Sequence, residues 1–327
     1  SMCGIIGIIS EKQVADLIFD GLKRLEYRGY DSAGIATLAG GQLQRRRAEG
    51  KLDALAHELK AAPLLGCVGI GHTRWATHGP AIEANAHPHR SEKVALVHNG
   101  IIENYRDLKQ HLIADGANFT SDTDTEVIAH LFSQNLRAKN DVMAAAAATF
   151  EALDGAYAIA LIVEGLENRM IIGRNGSPLA VGYGSGEMFI GSDAFALAPF
   201  TNRIAYLDDG DWAVISDKGA EIFAADGSEV TREQVVVDAA SAMVDKGNYR
   251  HFMSKEIHEQ PEVLSRTFGQ YADPENRCVT LPRNDVDLAS VKRVILVACG
   301  TAYFAGLIGK NWIERYAGIP ASVDIAS

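Results

Sequence analysis

Apolar residues in this chain come in short runs bounded by Gly, Asp and Asn, and the grouping of those runs limits the folds open to it. Gly4 to Ile9 is a nearly continuous apolar run, the pattern of a buried strand. Val14, Leu17, Ile18, Leu22 and Leu25 follow at helical spacing, and Arg28-Gly29 supplies a stop signal. Gly34 to Leu38, Val68 to His72 and Val94 to Asn99 are predicted as strands. Tyr105, Leu108 and Leu112 mark an amphipathic helix that ends near Gly116. Thr123, with Glu126 three residues on, predicts a capping box opening a helix through Val127, Ile128 and Leu131. A further helix is expected from Asp141 to Leu153. From Ala156 to Ala224 short apolar runs alternate with turn residues, which predicts an antiparallel meander. Strands, then helices, then strands define α+β layers rather than one doubly wound sheet.

Downstream the texture changes twice. Asp226 to Tyr249 is polar and reads as a linker or edge. Met253, Ile257, Val263 and Leu264 predict helix interrupted at Pro261. Arg293 to Ala298 is predicted as a buried, parallel-type strand, Cys299-Gly300-Thr301 as a tight turn, Tyr303 to Tyr316 as a helix and Ser322 to Ile325 as a strand. A single βαβ unit does not make a stable sheet by itself, so this segment is expected to open a second, truncated domain; a length of 327 residues fits about two domains. The net charge of −11 disfavours a nucleic-acid surface. No apolar run is long enough for a membrane span, the Ala-rich stretch Met143 to Thr149 included. Cys3, Cys67, Cys278 and Cys299 form no CxxC pair, which disfavours a zinc ribbon or redox dithiol. With no secretory leader evident, a cytoplasmic location is expected. Ser1 before Met2 reads as a residue left by tag removal; trimming of Met2 would make Cys3 the first residue.

That position gives Cys3 a chemical reading. An N-terminal cysteine carries a thiol and an α-amine on one residue, and an α-amine with a pKa of roughly 7.7–8.0 can serve as general base for its own thiol. The plain alternative is a small residue opening a buried strand. His72-Thr73-Arg74-Trp75-Ala76-Thr77-His78-Gly79 follows a strand, a good place for a carboxylate-binding Arg74; the alternative is a surface arginine and a packing tryptophan. In His98-Asn99-Gly100 an amide and a following N–H can converge on an oxyanion, or the pair can be a β-turn. Asp124 can hold a substrate ammonium group or merely favour a helix N-terminus.

Met2 to Ile5, Leu25 to Gly34, His72 to Gly79, Asn85 to His89, His98 to Asn104 and Ser121 to Glu126 together resemble the class II glutamine amidotransferases, which are N-terminal-nucleophile hydrolases. The resemblance implies a four-layer αββα sandwich. It also implies that Cys3 attacks the glutamine side-chain amide, that Asn99 and the Gly100 N–H form the oxyanion hole and that Arg28 orients the terminus. Arg74 would clamp the glutamine carboxylate, with Thr77, His78 and His87 in the same pocket. Asp124 would take the ammonium, and Trp75 would gate ammonia passage. Glu26 to Gly34, Arg250 to Pro261 and Ala298 to Thr301 are similar to the branch of this family whose second substrate is fructose 6-phosphate, with Cys299, Gly300 and Thr301 in its sugar-phosphate loop. Ala302 departs from that pattern, where many members carry serine. On this resemblance residues 1–240 form the glutaminase domain, 241–290 a linker and the helical start of the isomerase half, and 291–327 the start of a sugar-isomerase domain. The implied partners are L-glutamine, fructose 6-phosphate in the full-length enzyme and a second copy in a homodimer; no metal or organic cofactor is implied. Two alternatives stand: the glutaminase domain of a phosphoribosyl amidotransferase, and a catalytically silent sugar-phosphate-binding module.

Overall fold

A computed structural model describes residues 3–26, 31–74, 80–237, 252–273, 278–279 and 290–325. The chain divides into two compact units, Ser1–Thr267 and Phe268–Ser327. In chain order the first unit holds β1 (Gly4–Ile9), α1 (Ala15–Leu25), β2 (Ser32–Ala39), β3 (Gln42–Glu49), α2 (Leu52–Ala61), β4 (Val68–Arg74), β5 (His89–Ser91), β6 (Val94–Ile102), α3 (Tyr105–Ala114), α4 (Thr125–Lys139) and α5 (Val142–Glu151). It continues with β7 (Gly155–Val163), β8 (Arg169–Asn175), β9 (Ala180–Tyr183), β10 (Met188–Gly191), α6 (Ala194–Leu197), β11 (Arg203–Tyr206), β12 (Trp212–Ser216), β13 (Gly219–Phe223), β14 (Glu229–Val230) and β15 (Gln234–Val236).

These strands form an eight-stranded sheet, ordered β15-β11-β9-β10-β1-β4-β2-β3, and a seven-stranded sheet, ordered β14-β13-β12-β8-β7-β6-β5. Strand parity explains how they stack, because successive side chains point to opposite faces. Ile5 and Ile9 of β1 enter a core shared with Ala95 and Val97 of β6 and Ala158, Ala160 and Ile162 of β7, so the two sheets pack face to face. Ile6 and Ile8 point the other way, onto Ile18 and Leu22 of α1, with Leu52 and Leu55 of α2 in the same cluster. Val94, Leu96, Ile159 and Leu161 cover the far face of the second sheet beneath α3, α4 and α5. The result is the four-layer αββα sandwich, and it accounts for the unbroken apolar run of β1. A strand covered on both faces has no solvent side on which to place polar residues.

Several expectations are corrected. The stretch from Ala156 to Ala224 is antiparallel but is not one meander: β7, β8, β12 and β13 lie in one sheet, whereas β9, β10 and β11 lie in the other. Strand β6 runs on to Ile102, pairing Gly100 with Tyr157 and Ile102 with Gly155, so Asn99-Gly100 is not a hairpin turn. No capping box opens α4. Its N-cap is Asp124 in helical conformation, with no side-chain capping bond, and Glu126 bonds Thr120 and Ser121 instead. Strand β3 and helix α2 had no counterpart in the apolar pattern. The polar stretch after Asp226 contributes β15, an edge strand paired with β11; residues 238–251, and with them the expected domain boundary at 240/241, lie outside the described residues.

Helix α7 (Phe252–Tyr271) continues through Pro261 rather than breaking there. In the second unit β16 (Ala272–Asp273) and β17 (Cys278–Val279) pair antiparallel. Strand β18 (Val294–Ala298), α8 (Gly300–Trp312) and β19 (Ala321–Ile325) make the expected βαβ unit, with β18 and β19 parallel in register Val294 to Ala321. Cys299 is the extended N-cap of α8 and Gly300 turns the chain at φ +57°, so the helix begins three residues earlier than the apolar spacing predicts.

Candidate active site

The chemistry-bearing residues meet at one end of the sandwich. Cys3, the first described residue, precedes β1 and is buried. Pairing of β1 with β4, Gly4 opposite Thr73, carries Arg74 to the same end. The second sheet delivers Asn99, whose Nδ2 donates to the carbonyl oxygen of Cys3 at 2.9 Å. Asn99 is therefore a bridge between the two sheets at the residue expected to react.

The orientation of that amide is fixed from behind. His72 Nε2 lies 3.0 Å from Asn99 Oδ1 and 3.1 Å from the carbonyl oxygen of His98. Both partners accept, so Nε2 carries the hydrogen. Burial pushes the His72 pKa down to about 3, so the ring is neutral at working pH. Its buried Nδ1 has no hydrogen-bond partner among the described residues. His72 stacks on His87, ring centroids 4.0 Å apart, and His87 meets His89 edge-on at 4.7 Å. His87 Nδ1 accepts from the His98 N–H at 3.3 Å. Burial, reinforced by the neighbouring histidines, holds His87 well below its ordinary pKa, and burial takes His89 to about 3. His87 thus sits in a buried layer of neutral rings behind the site. Among the described residues no group of three or more His, Cys, Asp or Glu side chains is placed to hold a metal ion.

Gly100 follows Asn99 at φ +125°, and a Cβ there would stand 1.9 Å from the Ala156 carbonyl oxygen. Only glycine lets the strand take this conformation against β7. Asp124 is buried, and its Oδ2 accepts from the Ile102 N–H at 2.8 Å, tying the start of α4 to the end of β6. Its carboxylate is thus turned toward β6 and not onto the first turn of its own helix.

Arg74 ends β4, buried, with Nη1 donating to the Pro80 carbonyl at 3.2 Å. Burial lowers its pKa, and the charges of Cys3, Asp31 and Asp124 oppose that shift. The guanidinium therefore lies within electrostatic reach of both the thiol and the Asp124 carboxylate. Glu126 fixes the loop that leads into Asp124. Burial drives its carboxyl upward, but the nearby His130 side chain and hydrogen bonds from Ser121 and Thr120 outweigh that and hold it well below the usual carboxylate range. The Ser121 N–H and Oγ both reach Glu126 Oε2 at 2.7 Å.

Cys3, Arg74, Asn99, Gly100 and Asp124 are brought together; Arg28, Trp75, Thr77 and His78 lie outside the described residues. Cys299 and Thr301 belong to the second unit, exposed at the start of α8, where Gly300 makes the turn. His72, Asn85 and Glu126 carry site geometry without having been singled out for it. All three lie inside the blocks that carry the family resemblance, and that position was their signal.

The two-sheet αββα sandwich is a fold that this chain shares with solved amidotransferases. A family model described as a glutamine amidotransferase domain matches residues 72–199. The glutamine phosphoribosylpyrophosphate amidotransferase from B. subtilis superposes with a TM-score of 0.61 at 22% identity, covering 98% of this chain and 65% of that one. A structure described as the allosteric regulatory enzyme of purine biosynthesis gives 0.57 at 28% identity, covering 68% of this chain and 49% of that one. Residues 72–199 thus carry a glutamine amidotransferase domain. Over its whole length the sequence is similar to glutamine–fructose-6-phosphate aminotransferases (isomerizing). It is 56% identical to that of Mesorhizobium japonicum over 329 residues, covering 100% of this chain and 54% of the relative. It is 51% identical to that of Zymomonas mobilis, with the same coverage. The phosphoribosyl alternative shares the fold but much less of the sequence. The chain spans about half the length of the curated relatives it matches.

Proposed function

We propose that this chain hydrolyses L-glutamine to glutamate and ammonia at Cys3, and that in a full-length protein the ammonia is transferred to fructose 6-phosphate to give glucosamine 6-phosphate. The observation that carries the reading is the Asn99 amide bonded to the Cys3 carbonyl, with Arg74 and Asp124 beside them. In a chain beginning at Cys3 the α-amine takes the thiol proton as sulfur attacks the glutamine amide carbon. An Asn side-chain amide has two hydrogens. One holds Cys3, and the other, with the Gly100 N–H, is offered to the oxyanion that develops. The C–N bond then breaks, the proton passes to the departing nitrogen, and ammonia leaves a thioester on Cys3. Water adds to that thioester, its proton goes to the α-amine, and the C–S bond breaks to release glutamate and restore the thiol.

Arg74 takes the α-carboxylate and Asp124 the α-ammonium in this scheme. In the same scheme Thr77 and His78 contribute to glutamine binding, Trp75 gates ammonia passage, Arg28 orients the terminus, and Cys299 to Thr301 belong to the sugar-phosphate loop. A cytoplasmic homodimer is the form expected of the whole protein. Among the described residues no helix is long and apolar enough to cross a membrane. The test is covalent trapping. A glutamine-shaped diazoketone should add one equivalent to Cys3 by peptide mass, glutamine should protect against it, and Cys3→Ala should abolish it. Label on Cys67 or Cys299 with Cys3 unmodified would refute the reading.

A further inference from the structure

Asn85 occupies a place that the hydrolysis scheme does not use. It ends a single 3₁₀ turn, Glu83–Asn85, and its side chain is fully buried. Its Nδ2 donates to the Pro80 carbonyl oxygen at 3.0 Å, the same oxygen that accepts from Arg74 Nη1 at 3.2 Å. Its Oδ1 accepts from the Asp122 N–H at 2.9 Å, two residues before Asp124. A continuous path therefore runs from the Arg74 guanidinium, through Pro80 and Asn85, to the backbone that presents the Asp124 carboxylate. The far side of that backbone is pinned independently, by the bonds from Thr120 and Ser121 to Glu126.

We propose that Asn85 sets the separation of Arg74 and Asp124, and so selects an α-amino acid amide over amides that lack the ammonium or the carboxylate. This rests on the glutamine reading and deepens it. The two charged groups of an α-amino acid sit on one carbon, so their receptors must keep one spacing. A shift of about 1 Å in a positioning group can cost on the order of a hundredfold. A primary amide suits the post: it donates to a carbonyl on one side and accepts from an N–H on the other, without adding charge to a buried site. Asn85 acts through Pro80 and Asp122 and is a positioning residue.

The experiment measures ammonia release by the chain beginning at Cys3, with L-glutamine and with 4-carbamoylbutanoate, the same amide without the α-amine. Asn85→Leu should raise KM for glutamine about ten- to a hundredfold, leave kcat within about threefold, and shrink the preference for glutamine over 4-carbamoylbutanoate by a similar factor. Asn85→Asp keeps the acceptor for Asp122 and loses the donor to Pro80. Its buried carboxyl regains an O–H donor on protonation, so its KM, divided by that of the parent at each pH, should fall toward unity as the pH is lowered. A parental KM and preference in Asn85→Leu, or a lowered kcat at unchanged KM, overturns the inference. If Asn85→Leu does not unfold cooperatively, the Asp variant decides, and a pH-independent KM ratio overturns it. A parent that releases no ammonia from glutamine overturns the function and this inference together; an active parent with unaltered variants overturns the inference alone.

Discussion

Asn99 bridges the two sheets through its bond to the Cys3 carbonyl, and in the proposed mechanism it also supplies a donor to the reacting oxygen. Asn99→Ala in the chain beginning at Cys3 should lower kcat for glutamine hydrolysis by about 10²–10³. Parental turnover in that variant would remove Asn99 from the mechanism. Arg74→Lys should raise KM for glutamine far more than it lowers thermal stability, because an ammonium cannot reproduce the paired bonds of a guanidinium to a carboxylate. Equal KM values would reduce Arg74 to a loop anchor. Cys3, Arg74, Asn99 and Asp124 could be proposed from sequence because each carries a reactive, charged or hydrogen-bonding group inside a block that resembles the family, and the fold brings them to one end of the sandwich. His72, Asn85 and Glu126 were not, because they act through other residues. Nothing in one dimension says that the Nε2–H of His72 aims at Asn99 Oδ1.

At the scale of elements, apolar runs located the strands whose faces are covered and missed β3, whose sequence around Arg45-Arg46-Arg47 is polar. That strand is the edge of its sheet. Arg45 donates to the Pro88 carbonyl and Arg47 to those of Ala84 and Ala86, so its arginines strap down the segment that carries Asn85 and His87. The capping box failed for a related reason: of the Thr123 and Glu126 pair, Glu126 is taken up by a loop network with Thr120 and Ser121 rather than by the helix end. The histidine layer yields a pH prediction. Burial takes His72 and His89 from 6.5 to about 3. Between those values the unfolded chain binds protons that the folded chain refuses, so stability falls as the pH drops from 6.5 toward 3. The limiting slope is about 1.4 kcal/mol per pH unit for each such histidine. Glu126, held low in the folded state, adds loss in the same direction below about pH 4.5. Thermal midpoints measured from pH 8 to 4 should fall on acidification, and His87→Phe should flatten the fall. A variant slope equal to that of the parent would contradict the assignment.

For the whole molecule, the contrast is between a sandwich with three apolar clusters and a C-terminal βαβ unit that buries little. Ile295 and Val297 of β18 are 54% and 62% exposed, Ile325 of β19 is 71% exposed and Trp312 of α8 is 62% exposed. A two-stranded sheet is marginal without further cover, and edge strands of this kind invite pairing. Amides of β18 and β19 should exchange with solvent faster than those of β1, β4 and β6 in a dilute monomer. Equal protection throughout would contradict this. The α+β class was legible in the grouping of runs, whereas the order of the four layers came from the family resemblance. The division of the later strands between two sheets was not, since antiparallel neighbours in either sheet have the same local pattern.

In the proposed mechanism Cys3 acts as a chain terminus. Ser1 and Met2 turn its α-amine into a peptide N–H, which cannot accept a proton, so glutamate release separates the two states directly. The chain with both residues present, confirmed by intact mass, should hydrolyse glutamine almost not at all while Arg74 and Asp124 still bind glutamate. The chain beginning at Cys3 should hydrolyse it, and Cys3→Ala should not. Equal rates of glutamate release from the extended and the trimmed chains would contradict the account.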